Sequence, residues 1–156
     1  MKKLLIEATK YTPLISLDPD SGIIEIKGKS YPENTFDFYQ PVMTWVADYF
    51  SGQAAEKTIV NMEIIYFNSS SSKLFFDFFD LLEEADANHD IEINWLYDEE
   101  NESAEESGYD FKEDFEHLNF KLVSIHQWQT AWFETITRLS LSSMYINAIK
   151  KKQDFS

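Results

Sequence analysis

From Thr58 to Phe67 apolar and polar side chains alternate, with Val60, Met62, Ile64 and Tyr66 on one face and further isoleucines, Ile59 and Ile65, on the other. Period two over this length predicts a strand, and the apolar residues on its second face predict a central strand covered on both sides. The pattern then changes period. Leu74 to Ala85 places Leu74, Phe75, Phe78, Leu81, Leu82 and Ala85 on one helical face, with Phe76 and Phe79 widening it. The handover between strand and helix is Asn68-Ser69-Ser70-Ser71-Ser72-Lys73.

The same reading orders the rest of the chain. Leu4 to Ala8 is a short edge segment. Leu14–Leu17 and Ile23–Lys27 flank an Asp-Pro-Asp-Ser-Gly turn and predict a hairpin. Ser30 and Glu33 have the spacing of a helix capping box. A helix follows, with Phe38, Val42, Trp45, Val46 and Tyr49 inward; Pro41 divides it into Glu33–Tyr39 and Pro41–Phe50 or kinks it. Ile91–Tyr97 alternates as a strand, Asp98–Gly108 reads as an acidic loop, Tyr109–Leu118 as a short helix and Phe120–Ile125 as the last strand. Trp128–Lys152 reads as a terminal helix with Trp128, Trp132, Ile136, Leu139 and Ser143 on one stripe. Lys150–Lys152 complement the helix dipole at its end. Strands alternating with helices after an opening hairpin predict an α/β fold: one mixed sheet flanked by helices, with an additional C-terminal helix. The division is a domain over 1–125 and a helical extension over 126–156.

Charge narrows the partners. The net charge is −15, and Asp77 to Glu116 holds 17 acidic residues and one lysine. This opposes nucleic acid and anionic membrane surfaces, both of which need a cationic face. It favours a partner with a basic surface. There is no cysteine, and no apolar run reaches the ~18 residues of a membrane span. Glu7 interrupts the start too early for a signal peptide, so a cytoplasmic protein is expected.

Catalytic chemistry finds little support. The histidines His89, His117 and His126 stand apart, no nucleophile elbow is present, and four glycines make neither a P-loop nor a dinucleotide fingerprint. The acidic loop lacks the ligand spacing of a calcium loop. The expectation is a protein that is not an enzyme and holds no cofactor or metal. The serines at the helix start have two readings. Serine is a preferred N-cap. The same turn, with free N–H groups and the positive helix end, also suits a covalently added phosphate.

Several blocks taken together carry a resemblance. Tyr11-Thr12-Pro13, Asp18-Pro19 with Ser21-Gly22, Gly28-Lys29-Ser30-Tyr31-Pro32-Glu33-Asn34, Phe38-Tyr39 with Pro41, Tyr66-Phe67-Asn68-Ser69-Ser70-Ser71 and Trp95 with Tyr97-Asp98 resemble, in order and spacing, the SiaC-family regulatory phosphoproteins of bacteria. The resemblance spans Thr9 to Val123. It implies a fold similar to STAS-type anti-sigma-factor antagonists. It also implies phosphorylation by a cognate Ser/Thr protein kinase, reversal by a PP2C-type phosphatase, and binding of a regulated partner, such as a diguanylate cyclase, by the unphosphorylated form. Ser69 stands where the family carries its phosphorylated threonine, with Ser70 and Ser71 as alternates. Tyr66, Asn68, Ser69, Ser70, Ser71, Phe76 and Phe79 are the expected partner-binding residues. The tail from His126 has no counterpart in the family pattern. A homodimer through that helix, or a constitutive adaptor using it, is the competing expectation.

Overall fold

The computed structural model describes residues 1–154. Six strands form one sheet whose spatial order is the chain order: β1 (Leu4–Ile6), β2 (Leu14–Asp18), β3 (Ile23–Ser30), β4 (Lys57–Phe67), β5 (Asp90–Tyr97) and β6 (Asn119–Ser124). The first three are antiparallel and β3 to β6 are parallel. The expected hairpin turns at Gly22, whose φ of 73° suits glycine. Each parallel step crosses through a helix: α1 (Thr35–Ser51), α2 (Ser69–Asp86) and α3 (Glu102–Asp114).

Three right-handed crossovers that all advance in one direction put all three helices on one face. One core results, formed by Ile24, Ile26, Val60, Met62, Ile93 and Trp95 from the sheet and by aromatic side chains from the helices. The second face of β4 is not the apolar one expected: it is polar and only partly sheltered, where Ile125, Trp128 and Gln129 at the start of the last helix line a cleft with Asn61 and Glu63. On this face Asn61 and Glu63 are in register with Glu25 and Lys27 on β3, and Asn61 with Asn94 on β5. Lys27 pairs with Glu63 at 3.3 Å, and Glu92 accepts from Lys121 at 2.7 Å. That bond from Lys121 holds the Glu92 carboxyl below its ordinary range.

The helices depart from the sequence reading at their ends. α1 is continuous through Pro41. The ring of Pro41 is exposed, and the burial of Tyr39, Val42, Trp45, Val46 and Tyr49 on both sides of it holds the helix together. Tyr39 is the buried residue at the head of this stripe, while Phe38 is half-buried. The capping box does not form: β3 runs on through Ser30, and the cap is Asn34, whose Oδ1 accepts the Asp37 amide at 3.1 Å. α2 begins at Ser69 rather than Leu74.

Much of the expected acidic loop is helical. α3 is capped by Asn101, and its inward stripe Ala104, Gly108 and Phe111 lies hidden in sequence among six carboxylates. Glu102 and Glu105 in its first turn suit the positive helix end. The last helix, α4 (Ile125–Asp154), starts with no break after β6. Ser124 and Gln127 explain this: the Gln127 amide donates to Ser124 Oγ at 3.1 Å, and the Ser124 amide donates to Gln127 Oε1 at 3.4 Å, a reciprocal cap. Of the expected stripe, the side chains of Trp132, Ile136, Leu139 and Ser143 lie outside the described residues.

Trp95 is fully buried and donates its indole N–H to the Ala104 carbonyl at 2.9 Å. This draws α3 so close to β5 that a Cβ on Gly108 would lie 2.5 Å from the indole. Gly108→Ala is expected to lower the unfolding free energy by about 1–3 kcal/mol, read from urea denaturation.

Candidate modification site and partner surface

The carboxyl ends of β3 and β4 lie side by side, Ser30 in register with Phe67. Each strand leads into a helix, so the starts of α1 and α2 are neighbours. The Asn68 amide donates to the Ser30 carbonyl at 3.1 Å, which ties the second start to the first strand. Asn68 is the N-cap of α2: its Oδ1 accepts the Ser71 amide at 2.9 Å, and its carbonyl accepts the Ser72 amide at 2.9 Å. The cap is thus the asparagine, and all four serines belong to the helix.

The four serines then separate by helical geometry. Ser69 and Ser70 are exposed, Ser72 is half-buried and Ser71 is buried. Ser71 Oγ lies 2.8 Å from Ser30 Oγ, which lies 2.6 Å from Tyr39 Oη. This chain of three buried hydroxyls joins α2, β3 and α1. Burial pushes the Tyr39 phenol well above its ordinary pKa, so it stays protonated throughout the physiological range.

The amides of Ser69 and Ser70 have no intrahelical acceptor, because they precede the first helical bond. No carboxylate occupies the first turn of α2. Lys73 is exposed one turn after Ser69, on the same side of the helix. Between the two helix starts lies an open groove of about 450 Å³, lined by Asn34, Phe36, Asn68, Ser70, Lys73 and Asp77 among others.

Aromatic rings surround this turn. Tyr11 and Tyr31 meet edge to face at 5.2 Å, and Tyr31 and Tyr66 at 5.5 Å. Tyr11 and Tyr66 are more than half exposed, and Phe36 is 68% exposed. The Tyr11 carbonyl accepts the Tyr31 amide at 2.8 Å, which fixes the row. Large exposed rings with polar tips are frequent anchors in protein interfaces.

Of the expected binding residues, Tyr66, Asn68, Ser69 and Ser70 are together on this surface. Ser71 and Phe79 are interior: Ser71 in the hydroxyl chain, Phe79 against Phe111 at 5.1 Å and Phe120 at 5.3 Å. Neither is exposed to a partner in this conformation. Phe76 is partly exposed but packs on Phe111 at 5.2 Å, in a separate cleft between α2 and α3. Sequence reasoning missed Tyr11, Tyr31 and Phe36 as surface groups and Ser30 and Tyr39 as support. Their signal was aromatic residues set among turn residues, in Tyr-Thr-Pro and Ser-Tyr-Pro-Glu-Asn.

Known proteins share this fold. The family model described as SiaC family regulatory phosphoprotein matches residues 6–125. An uncharacterised protein of Pseudomonas aeruginosa strain UCBPP-PA14 is 35% identical over 115 residues, covering 73% of this chain and 90% of the relative. The crystal structure of apo-SiaC from Pseudomonas aeruginosa superimposes with a TM-score of 0.70 at 31% identity, covering 80% of this chain and 98% of that one. A chain in the crystal structure of the diguanylate cyclase SiaD in complex with its activator SiaC, from the same organism, matches with a TM-score of 0.70 at 32% identity, covering 78% of this chain and 97% of that one.

Removing the central hydroxyl would strand two buried partners. Ser30→Ala is expected to lower stability by about 1–3 kcal/mol, while Ser70→Ala stays within about 0.5 kcal/mol of the parent in the same denaturation experiment.

Proposed function

The chain belongs to the SiaC family of regulatory phosphoproteins, and on that premise we propose that it is a phosphorylation-controlled binding switch. In this reading the unphosphorylated form binds and regulates a partner enzyme of the diguanylate cyclase class. A Ser/Thr protein kinase modifies Ser69 to block that binding, and a PP2C-type phosphatase restores it. The chain acts by binding rather than by catalysis.

The observation that carries this reading is the division of labour within one helical turn. Ser69 and Ser70 face solvent beside Tyr66, whereas Ser71 is locked beneath them to Ser30 and Tyr39. A phosphate on Ser69 adds about −1.5 to −2 charges to the surface without entering the core. The helix end and its free amides favour that charge by about 0.3–1 kcal/mol. The fold therefore tolerates the modification. A partner seated over the same turn does not, since it must desolvate the phosphate, at several kcal/mol unless it supplies matched cations. A swing of ~5.5 kcal/mol turns a 99:1 population into 1:99. Ser69 is favoured over Ser70 because its side of the helix faces outward, while Ser70 lines the groove toward α1.

Ser69→Asp is expected to weaken binding to the partner at least tenfold while leaving the thermal midpoint within about 2 °C, measured by calorimetry of both. Ser69→Ala should bind fully and resist the kinase. Undiminished binding by protein phosphorylated at Ser69, or unfolding of the Asp variant, would refute the switch.

A further inference from the structure

The cleft between α2 and α3 has a volume of about 330 Å³ and an aromatic floor, lined by Phe67, Phe76 and Phe111. The rings brace one another. Phe76 packs on Phe111 at 5.2 Å and on Phe115 at 5.8 Å, and Phe67 lies 6.2 Å from Phe111. The floor is thus fixed before anything binds, while Phe76, at 36% exposure, leaves part of its ring uncovered.

The rim is acidic. Asp110, Glu113 and Asp114 line it from α3, at the i, i+3 and i+4 spacing that sets side chains on one side of a helix. They stand at the carboxyl end of α3, where the helix carries its negative pole. Like charges at this spacing repel, and the dipole disfavours each of them here. Among the described residues no lysine or arginine lines the cleft; Lys112, in the same turn, is exposed elsewhere. The ion pairs of the described residues lie on the opposite face of the sheet, between Lys27 and Glu63 and between Glu92 and Lys57 or Lys121.

Rings and carboxylates favour the same occupant. A ring face attracts a cation, and three carboxylates attract it further. Shape then selects among cations. A bare divalent ion needs convergent oxygen ligands, and among the described residues no group of acidic and histidine side chains is placed to hold a metal. An ammonium is compact and strongly hydrated. A guanidinium is flat, more weakly hydrated, and stacks on a ring while its N–H groups fork to carboxylates. We propose that the α2–α3 cleft is a docking site for an arginine side chain of a partner protein, held over Phe76 by Asp110, Glu113 and Asp114.

The cleft adjoins the turn at Ser69. Ser69, Ser72 and Phe76 are i, i+3 and i+7 on α2, one stripe of the helix, and Ser72 lines the cleft. Phe76 therefore stands about 10 Å along the helix from Ser69, at 1.5 Å per residue. A partner covering the Ser69 turn needs only that reach to place its arginine. That the two surfaces serve one partner rests on the proposed switch; the arginine site itself does not.

The probe is a capped tripeptide, acetyl-Ala-Arg-Ala-amide, titrated into the isotope-labelled full chain and followed by amide NMR shifts. Saturating shifts are expected at Ser72, Phe76 and Phe111 to Asp114. The lysine peptide should bind at least about fivefold more weakly. The citrulline peptide, of the same shape without the charge, should leave these amides unmoved. Asp110→Asn with Glu113→Gln and Asp114→Asn should weaken the arginine peptide about tenfold, in a chain that unfolds at or above the midpoint of the parent. Phe76→Leu should weaken it about threefold. Ser69→Asp should leave peptide binding unchanged, because the tripeptide does not reach that turn; the site and the switch therefore fail separately. Equal binding of the lysine peptide, shifts spread evenly over the acidic surface, or full binding by the triple carboxamide variant would overturn the site. A doubled sedimentation mass that Arg138→Ala, at the single arginine of the chain, returns to one chain would make the occupant a second copy and overturn the assignment to a partner.

Discussion

Three hydroxyl groups buried at the carboxyl edge of the sheet hold the starts of α1 and α2 in place against β3. Ser30 ends β3, Tyr39 lies one turn into α1 and Ser71 lies in the first turn of α2; their oxygens are linked at 2.6 and 2.8 Å. Each group can donate and accept, so the chain is satisfied only when all three elements meet in this one arrangement. No described buried side-chain polar atom lacks a partner. Around this point the rest follows. Asn68 must cap the helix because Ser71 is turned inward, and the two serines before it must then face outward.

This gives the surface a rigid base and a changeable top. The Tyr11–Tyr31–Tyr66 row is anchored by backbone and ring contacts. The exposed serines are held in their direction by a neighbour only two residues away. A charge added here alters what the surface can touch rather than how the body is packed. In the proposed switch this separates binding free energy from folding free energy, so that the body survives repeated modification.

The sequence made the strands legible because their apolar sides alternate and their turns carry Gly, Pro, Asp and Asn. β2 to β6 stand within one to three residues of where periodicity placed them. α3 was hidden because its inward side is Ala104, Gly108 and Phe111, small residues diluted among carboxylates. The position of Pro41 argued for a break that tertiary packing by Val42 and Trp45 overrides. At the site, the Ser-rich turn and Tyr66 were legible. Ser30 was misread: local spacing offered it to a helix cap, and only the pairing of β3 with β4 shows that it belongs to a strand and bonds across 41 residues of sequence to Ser71. Long-range partnerships of this kind have no local signature.

The agreement of sheet order with chain order also bears on how the protein forms. Every strand finds its neighbour in the strand just made, with at most one helix between. Each parallel step still closes a full crossover, as from Ile23 to its partner Ile59 and from Thr58 to Ile91, so the cost of closure is met in successive steps of moderate length. The sheet can grow strand by strand as the chain leaves the ribosome, at about 5–20 residues per second. The last helix to emerge then meets a body that is already complete.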